Sequence, residues 1–243
     1  MRVLVTRPEA KARRTCARLS AMGYQPVSLP LFQPEHFDAT RLDFLKRRNW
    51  SALAITSSEA LSGFSIGEGL AFLADKPVFA VGQRTACIAR GTGFTHIITG
   101  KGDGQSLART IAGYLPSSPA ASPLLYLAGS PRAPDFENTL HQLGIDFETA
   151  TVYVMQPIEY AAYDLENLMR DQSPSAVLFY SRAAAQRFFS LNVMRYIASS
   201  EKCMRLLCIS RKVAEAIPAE FSPNISIAHS PDEPRLLALL AET

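Results

Sequence analysis

Six short stretches of the chain combine hydroxyl, glycine and cationic groups, each directly after an apolar run: Thr6-Arg7-Pro8, Thr56-Ser57-Ser58, Gly82-Gln83-Arg84-Thr85, Ala128-Gly129-Ser130-Pro131-Arg132, Ser181-Arg182 and Ser210-Arg211-Lys212. Hydroxyls, guanidinium groups and open backbone N–H groups at such points recognise carboxylates or phosphates. Taken singly, a Ser or Thr there also serves as an ordinary helix N-cap, worth roughly 1 kcal/mol. Six together exceed what capping requires. They mark Thr6, Arg7, Thr56, Ser57, Gly82, Thr85, Gly129, Ser130, Arg132, Ser181, Arg182, Ser210 and Lys212 as candidate ligands of a polyanion.

Other chemistries lack their residues. No Gly-x-Gly-x-x-Gly follows an apolar run and no Gly-x-x-x-x-Gly-Lys-Ser/Thr occurs, which argues against dinucleotides and nucleoside triphosphates. Gly100-Lys101-Gly102-Asp103-Gly104 has the composition of a phosphate loop but not its spacing, and reads as a strand-to-helix connection. No Ser/His/Asp set and no paired carboxylates stand out as a nucleophilic or acid–base constellation. His36, His96, His141 and His229 are dispersed, as expected of surface or half-buried side chains. Cys16, Cys87, Cys203 and Cys208 lie in apolar periodic segments without C-x-x-C spacing, so buried free thiols are expected rather than disulfides or zinc. Neither a metal nor another cofactor is called for.

The groups must be positioned by the runs they follow. Val3–Thr6, Ala52–Thr56, Val78–Val81, His96–Ile98, Leu124–Ala128, Ala176–Tyr180, Leu206–Ile209 and Ile225–Ala228 read as strands. Between them, Glu9–Met22, Glu59–Gly67, Gln83–Arg90, Gln105–Tyr114, Asp135–Leu143, Arg182–Leu191, Lys212–Ile217 and Glu233–Leu240 carry apolar residues at helical spacing. Apolar strands alternating with amphipathic helices make parallel sheets covered on both faces, and such sheets bind ligands beyond the carboxyl ends of their strands.

The plan is written twice. Ser51-Ala-Leu-Ala-Ile-Thr-Ser57 matches Ser175-Ala-Val-Leu-Phe-Tyr-Ser181 at an offset of 124 (175 − 51), and Phe64 then falls on Phe188. Val78–Gly82 matches Leu206–Ser210 at 128 (206 − 78), and the stretch at Gly23 matches that at Gly144 at 121 (144 − 23). Three matches in one order favour two similar α/β lobes, each a parallel five-stranded sheet flanked by helices, over one continuous sheet. Leu29–Pro34 and Thr151–Pro157 hold equivalent places, look extended and carry helix-disfavouring prolines. With hinge crossings at 29–35 and 151–157, residues 1–32 and 158–243 make a discontinuous first lobe and 36–150 an inserted second. Tyr153 stands in the second crossing, where the first copy has Phe32. Its hydroxyl either projects into a cleft, where it can donate a proton to a leaving oxygen, or the ring packs against a lobe edge; the sequence leaves both readings open.

Totals set further limits. Of 243 residues, 47% are hydrophobic and 19% charged, an ordinary globular balance, and the longest apolar runs fall short of the roughly 20 residues needed to span a bilayer. The opening residues run directly into a strand rather than a secretory segment, so a cytoplasmic protein off the membrane is expected. A net charge of +3, without Lys/Arg runs interleaved with aromatics, suits a small polyanion and not a nucleic acid. No spare amphipathic surface stands out, and a monomer is expected.

The motifs together resemble the uroporphyrinogen-III synthase family: Val-Leu-Val-Thr-Arg-Pro at 3–8, Leu-Pro-Leu at 29–31, Thr-Ser-x-x-Ala at 56–60, Ala-Val-Gly-x-x-Thr-Ala at 80–86, Gly-x-x-Arg at 129–132, Val-Tyr at 152–153 and Ala-Val-Leu-Phe-x-Ser at 176–181. The resemblance implies two α/β lobes joined by a two-stranded connector. It implies cofactor-free cyclisation of hydroxymethylbilane, a linear tetrapyrrole with eight carboxylates, to uroporphyrinogen III with inversion of the last ring. By the same resemblance Thr6, Arg7, Ser57, Gly82, Thr85, Gly129, Ser181 and Arg182 hold the acetate and propionate groups, and Tyr153 assists departure of the hydroxyl. Two turns depart from the family's pattern. Ser210-Arg211-Lys212 stands where relatives often have Gly-Pro-Thr, and Ala128-Gly129-Ser130 where they often have Arg-Gly-Asp. The competing reading is a non-enzymatic two-lobed anion-binding protein; a glycosyltransferase-like enzyme is disfavoured by the missing glycine-rich and acidic turns.

Overall fold

The runs at 3–5, 52–55, 176–179 and 206–208 are fully buried, which requires cover on both faces of the strands they form. In a computed structural model that describes residues 1–62, 64, 69–115, 122–196 and 204–242, helices supply that cover. The chain opens with β1 (Arg2–Val5), α1 (Glu9–Ala21) and β2 (Gln25–Ser28). It crosses as β3 (Phe32–His36) into a second unit, continuing through β4 (Ala52–Ile55), β5 (Val78–Ala80), α2 (Gln83–Thr92), β6 (Ile97–Thr99), α3 (Gly104–Tyr114), β7 (Leu124–Ser130) and α4 (Asp135–Gln142). The long β8 (Phe147–Pro157) leads back, and α5 (Ala162–Gln172), β9 (Ala176–Phe179), α6 (Arg182–Ser190), β10 (Arg205–Cys208), α7 (Arg211–Ala214), β11 (Ile225–Ile227) and α8 (Glu233–Ala238) follow. Residues 1–33 with 156–243 form one compact unit, and 34–155 the other.

The first unit holds a five-stranded parallel sheet in the order β11-β10-β9-β1-β2. Alternation sorts its side chains: Val3, Val5 and Leu178 face a core with Leu19 and Leu236, while Leu4, Val177 and Phe179 face the opposite core with Phe188 and Met169. The second unit has the order β3-β8-β7-β4-β5-β6, and β4 to β8 pair in parallel. β3 adds a sixth strand at its edge, where Pro34 takes no ladder bond from a neighbour on its outer side. Phe37 N–H donates to Val152 O (2.9 Å) and Ile158 N–H to Leu31 O (3.0 Å), so β3 and β8 run in opposite directions.

The two parallel sheets are copies down to the register. Ala52 pairs with Leu124 as Ala176 pairs with Val3; Leu53 pairs with Val78 as Val177 pairs with Leu206; Leu124 pairs with Phe147 as Val3 pairs with Pro26. The offsets read from the sequence connect the first and second members of each comparison, which makes the duplication a property of the fold.

Some expected elements come out differently. Helix over Glu59–Gly67 reduces, among described residues, to a 3-10 turn at Ser58–Leu61, begun by Ser57 accepting from the Glu59 N–H; residues 63 and 65–68 lie outside the description. Of the Lys212–Ile217 segment only the part up to Ala214 is helical, in the single turn of α7, and the last helix tightens into a 3-10 turn at Leu239–Ala241. α5 has no expected counterpart because, among its residues of described burial, only Leu165 and Met169 are buried, and no side chain caps it. β2 was hidden by Pro26 and its polar ends. Of the cysteines, Cys208 is buried, Cys16 half-buried and Cys87 exposed, contrary to expectation, because Cys87 lies off the α2 stripe of Thr85, Ala86 and Ala89. Cys203 lies outside the described residues. All four histidines are exposed.

One ionic cluster ties the first unit's C-terminal helix to its first strand. Glu233 Oε1, at the start of α8, accepts from Arg7 (2.6 Å), from Thr15 Oγ1 (2.5 Å) and from Tyr180 Oη (3.0 Å), and Oε2 pairs with Arg18. Arg7 also lies 4.1 Å from the centre of the Tyr180 ring. Burial disfavours the Glu233 charge, but the Thr15 hydroxyl, Arg7, Tyr180 and Arg18 outweigh it and hold the carboxyl below its ordinary range. A depressed carboxyl pKa adds stability above the unfolded-state pKa and loses it as pH falls through the folded one. Glu233→Gln is therefore expected to lower the first unit's unfolding free energy by about 2–4 kcal/mol at neutral pH. In urea titrations the deficit should shrink on acidification, and a constant deficit from pH 7 to pH 3 would contradict this assignment.

Candidate functional site

At the carboxyl ends of β4 and β7 the second unit holds a cavity of about 330 Å³. Thr56 and Ser57 end β4; Gly129 and Arg132 come from the end of β7; Tyr153 reaches in from β8; Gly102 to Gly104 close it from the β6–α3 turn, where Gly102 has φ +108° and Asp103 caps α3. That turn is the Gly100–Gly104 stretch, here a connection whose backbone forms cavity wall.

Tyr153 arrives through an irregularity. Register along β7 and β8 advances evenly to Ala128 opposite Thr151, then shifts so that Gly129 is opposite Tyr153. A bulge adds a residue and re-aims the side chains beyond it. Val152 and Tyr153, neighbours that a regular strand would send to opposite faces, accordingly pack in the same core. The ring then lies against Gly129 so closely that a Cβ there would come 2.1 Å from Tyr153 Cζ. Only glycine permits this contact.

Two phenols meet two consecutive hydroxyls. Tyr126 Oη and Thr56 Oγ1 are 2.6 Å apart, and the Tyr153 hydroxyl shares the cavity wall with Ser57, whose side chain favours its ionised form. Ser57 Oγ also accepts from the Glu59 N–H (3.2 Å). Burial first, opposed by the Ser57 bond and reinforced by Glu59, raises the Tyr153 pKa above its ordinary value; burial does the same for Tyr126, opposed by Thr56. Both stay protonated at neutral pH and can donate. Glu59 in turn meets His36 Nε2 at 2.9 Å, with the His36 ring 5.8 Å from that of Tyr153. Tyr126, Glu59 and His36 were missed from sequence: Tyr126 sits in an apolar run that reads as core, and the other two lack any motif. Arg132 is held by Glu137 (3.0 Å), whose carboxyl also accepts from Thr149 (2.7 Å).

The structure thus brings together Thr56, Ser57, Gly129, Arg132 and Tyr153. Ser130 is the half-buried last residue of β7, while Gly82 and buried Thr85 begin α2, whose first turn has no side-chain cap. Thr6, Arg7, Ser181, Arg182, Ser210 and Lys212 stand side by side in the first unit, at the carboxyl ends of the adjacent β1, β9 and β10. Several are engaged: Thr6 is 1% exposed with its hydroxyl on Leu178 O (2.8 Å), Arg7 is bound by Glu233, and Ser181 accepts from Ala184 N–H as cap of α6. Arg182 and Lys212 are exposed, and Ser210 heads α7 without a capping bond. Among the described residues no group of three or more His, Cys, Asp or Glu could hold a metal ion, and no helix is long and apolar enough to cross a membrane.

The family model for uroporphyrinogen-III synthase HemD matches residues 13–238, nearly the whole chain. The chain belongs to this family. Its members are cyclising lyases of tetrapyrrole biosynthesis. Uroporphyrinogen-III synthetase from Helicobacter pylori has a similar crystal structure, with TM-score 0.65 and 18% identity over 99% of each chain. A mutant uroporphyrinogen III synthase from the extremely thermophilic bacterium Thermus thermophilus is similar at TM-score 0.55 and 16% identity, over 99% of this chain and 96% of that one. At such identities the likeness is one of fold. No curated protein sequence matches the chain.

Gly129→Ala tests the contact on which the cavity depends. The added methyl must push the Tyr153 ring aside, so a loss of about 1–3 kcal/mol in stability is expected from overpacking. A crystal structure of the variant should show the ring displaced; an unmoved ring with unchanged melting would contradict the close approach.

Proposed function

We propose that this chain closes hydroxymethylbilane to uroporphyrinogen III and that Tyr153 is its proton donor. The observation that carries the reading is the re-aimed Tyr153, buried in a cavity wall that it shares with Ser57. With Ser57 Oγ accepting from the Glu59 N–H, donation from Ser57 to the Tyr153 oxygen leaves the phenolic proton for a ligand in the cavity.

The reaction needs one proton delivered and one returned. Tyr153 protonates the terminal hydroxyl, the C–O bond breaks with loss of water, and an electrophilic azafulvene forms. Attack on it by the substituted carbon of the last ring gives a spiro intermediate. That intermediate fragments and recloses with the ring turned over, and the proton lost from the ring carbon restores the phenol. Water loss and ring closure balance without any cofactor. A cavity of about 330 Å³ is at the small end for ligand sites and suits one pyrrole and its acid groups rather than four rings. Further carboxylates are suited within the second unit by Arg132 and the open N–H groups at the start of α2.

The bilane also closes unaided, without inversion, so the enzyme's task is largely to hold one conformation. The purified chain supplied with freshly generated hydroxymethylbilane is expected to yield the type III isomer; type I alone, as in buffer, would overturn the reading. Tyr153→Phe should slow closure by roughly 10²-fold or more while melting as wild type, since only a hydroxyl is removed. Undiminished turnover would reduce Tyr153 to packing.

A further inference from the structure

Tyr126 is an odd residue for its strand. Leu124, Leu125, Leu127 and Ala128 around it are apolar and buried, and Tyr126 itself is only 2% exposed. Phenylalanine would fill the same space and keep the edge-to-face contact with Phe136, 4.7 Å between ring centres. A buried hydroxyl is costly unless it is bonded, and this one is bonded to a single side chain, Thr56, at 2.6 Å.

The duplication supplies a control within the molecule. Ala54 pairs with Tyr126 as Leu178 pairs with Val5, so the other copy has valine where this one has tyrosine. By the same offset Thr56 corresponds to Tyr180, whose hydroxyl goes to Glu233. The phenol–threonine pair is therefore not demanded by the shared fold. It lies in the wall of the second unit's cavity, next in sequence to Ser57.

We propose that Tyr126 is a positioning residue: by holding Thr56 it fixes the Thr56-Ser57 turn, and through Ser57 it sets the direction of the Tyr153 hydroxyl. Thr56 and Ser57 are consecutive; the Thr56 hydroxyl meets Tyr126, and Ser57 lines the same cavity as Tyr153. Releasing Thr56 frees the turn to rotate, and a misdirected donor slows the step it serves without weakening substrate binding. This rests on the proposed role of Tyr153, and the test separates the two.

Tyr126→Phe, Thr56→Val and the double variant are assayed with freshly generated hydroxymethylbilane beside the wild type, together with Thr56→Ser. The expectation is a roughly tenfold lower kcat for Tyr126→Phe with KM within about twofold, a larger share of type I product, and a double variant no worse than either single. Thr56→Ser, which keeps the hydroxyl, should retain most activity. Wild-type kcat and isomer share in Tyr126→Phe would overturn the proposal, as would single losses that multiply in the double variant. Ionisation of Tyr153, read by ultraviolet difference against Tyr153→Phe, tests positioning without turnover. Loss of the Ser57 bond should move that titration upward in Tyr126→Phe, and an unmoved titration would also overturn the proposal. A wild type that makes only type I would instead reject the function, and the titration would still decide the role of Tyr126.

Discussion

Tyr153 can lie where it does because residue 129 has no side chain. With any Cβ at that position the ring would be displaced, and the wall shared by β4, β7 and β8 would open. The bulge between Ala128 and Gly129 is the other half of the same constraint, since it is what sets Tyr153 opposite Gly129 and sends it to the same side as Val152. One absent methyl and one shifted register thus turn a strand edge into a site.

Duplication explains how such a site can be added at little cost to stability. Both units have one strand order and one pairing register, with cores on both faces of each sheet. The second unit adds β3 at its edge, and the polar chemistry of the two copies differs at the carboxyl ends of their strands. In the second unit Thr56 and Tyr126 meet over a cavity, whereas in the first the corresponding Tyr180 and its neighbour Arg7 are drawn onto Glu233. The same positions are used for a polar wall in one copy and for an internal ionic tie in the other.

That tie alters the reading of Arg7. A guanidinium after a strand is a natural carboxylate ligand, and this one has a carboxylate, supplied by α8 of its own unit. Glu233 is itself bonded by Thr15 and Tyr180 and paired with Arg18, so Arg7 has its carboxylate partner before any ligand arrives. Arg182, Arg211 and Lys212 are exposed at the neighbouring strand ends.

Much of the fold was legible in the chain because its signals are local: fully apolar runs, helical spacing between them, and the near-constant offsets that reveal two copies. The loops that carry hydroxyls and cations were legible for the same reason. Elements with weak local signals were not, namely α5 with its narrow buried stripe, β2 with Pro26, and the 3-10 turn in place of a helix after Ser57. Nothing local distinguishes Tyr126 from a core aromatic, joins Glu233 to Arg7 across the chain, or announces a bulge, because each depends on strands that are distant in sequence becoming neighbours. Sequence alone determined which residues had the chemistry. Tertiary pairing decided which of them meet, since a shift of one residue in register is enough to turn a side chain from one face of a sheet to the other.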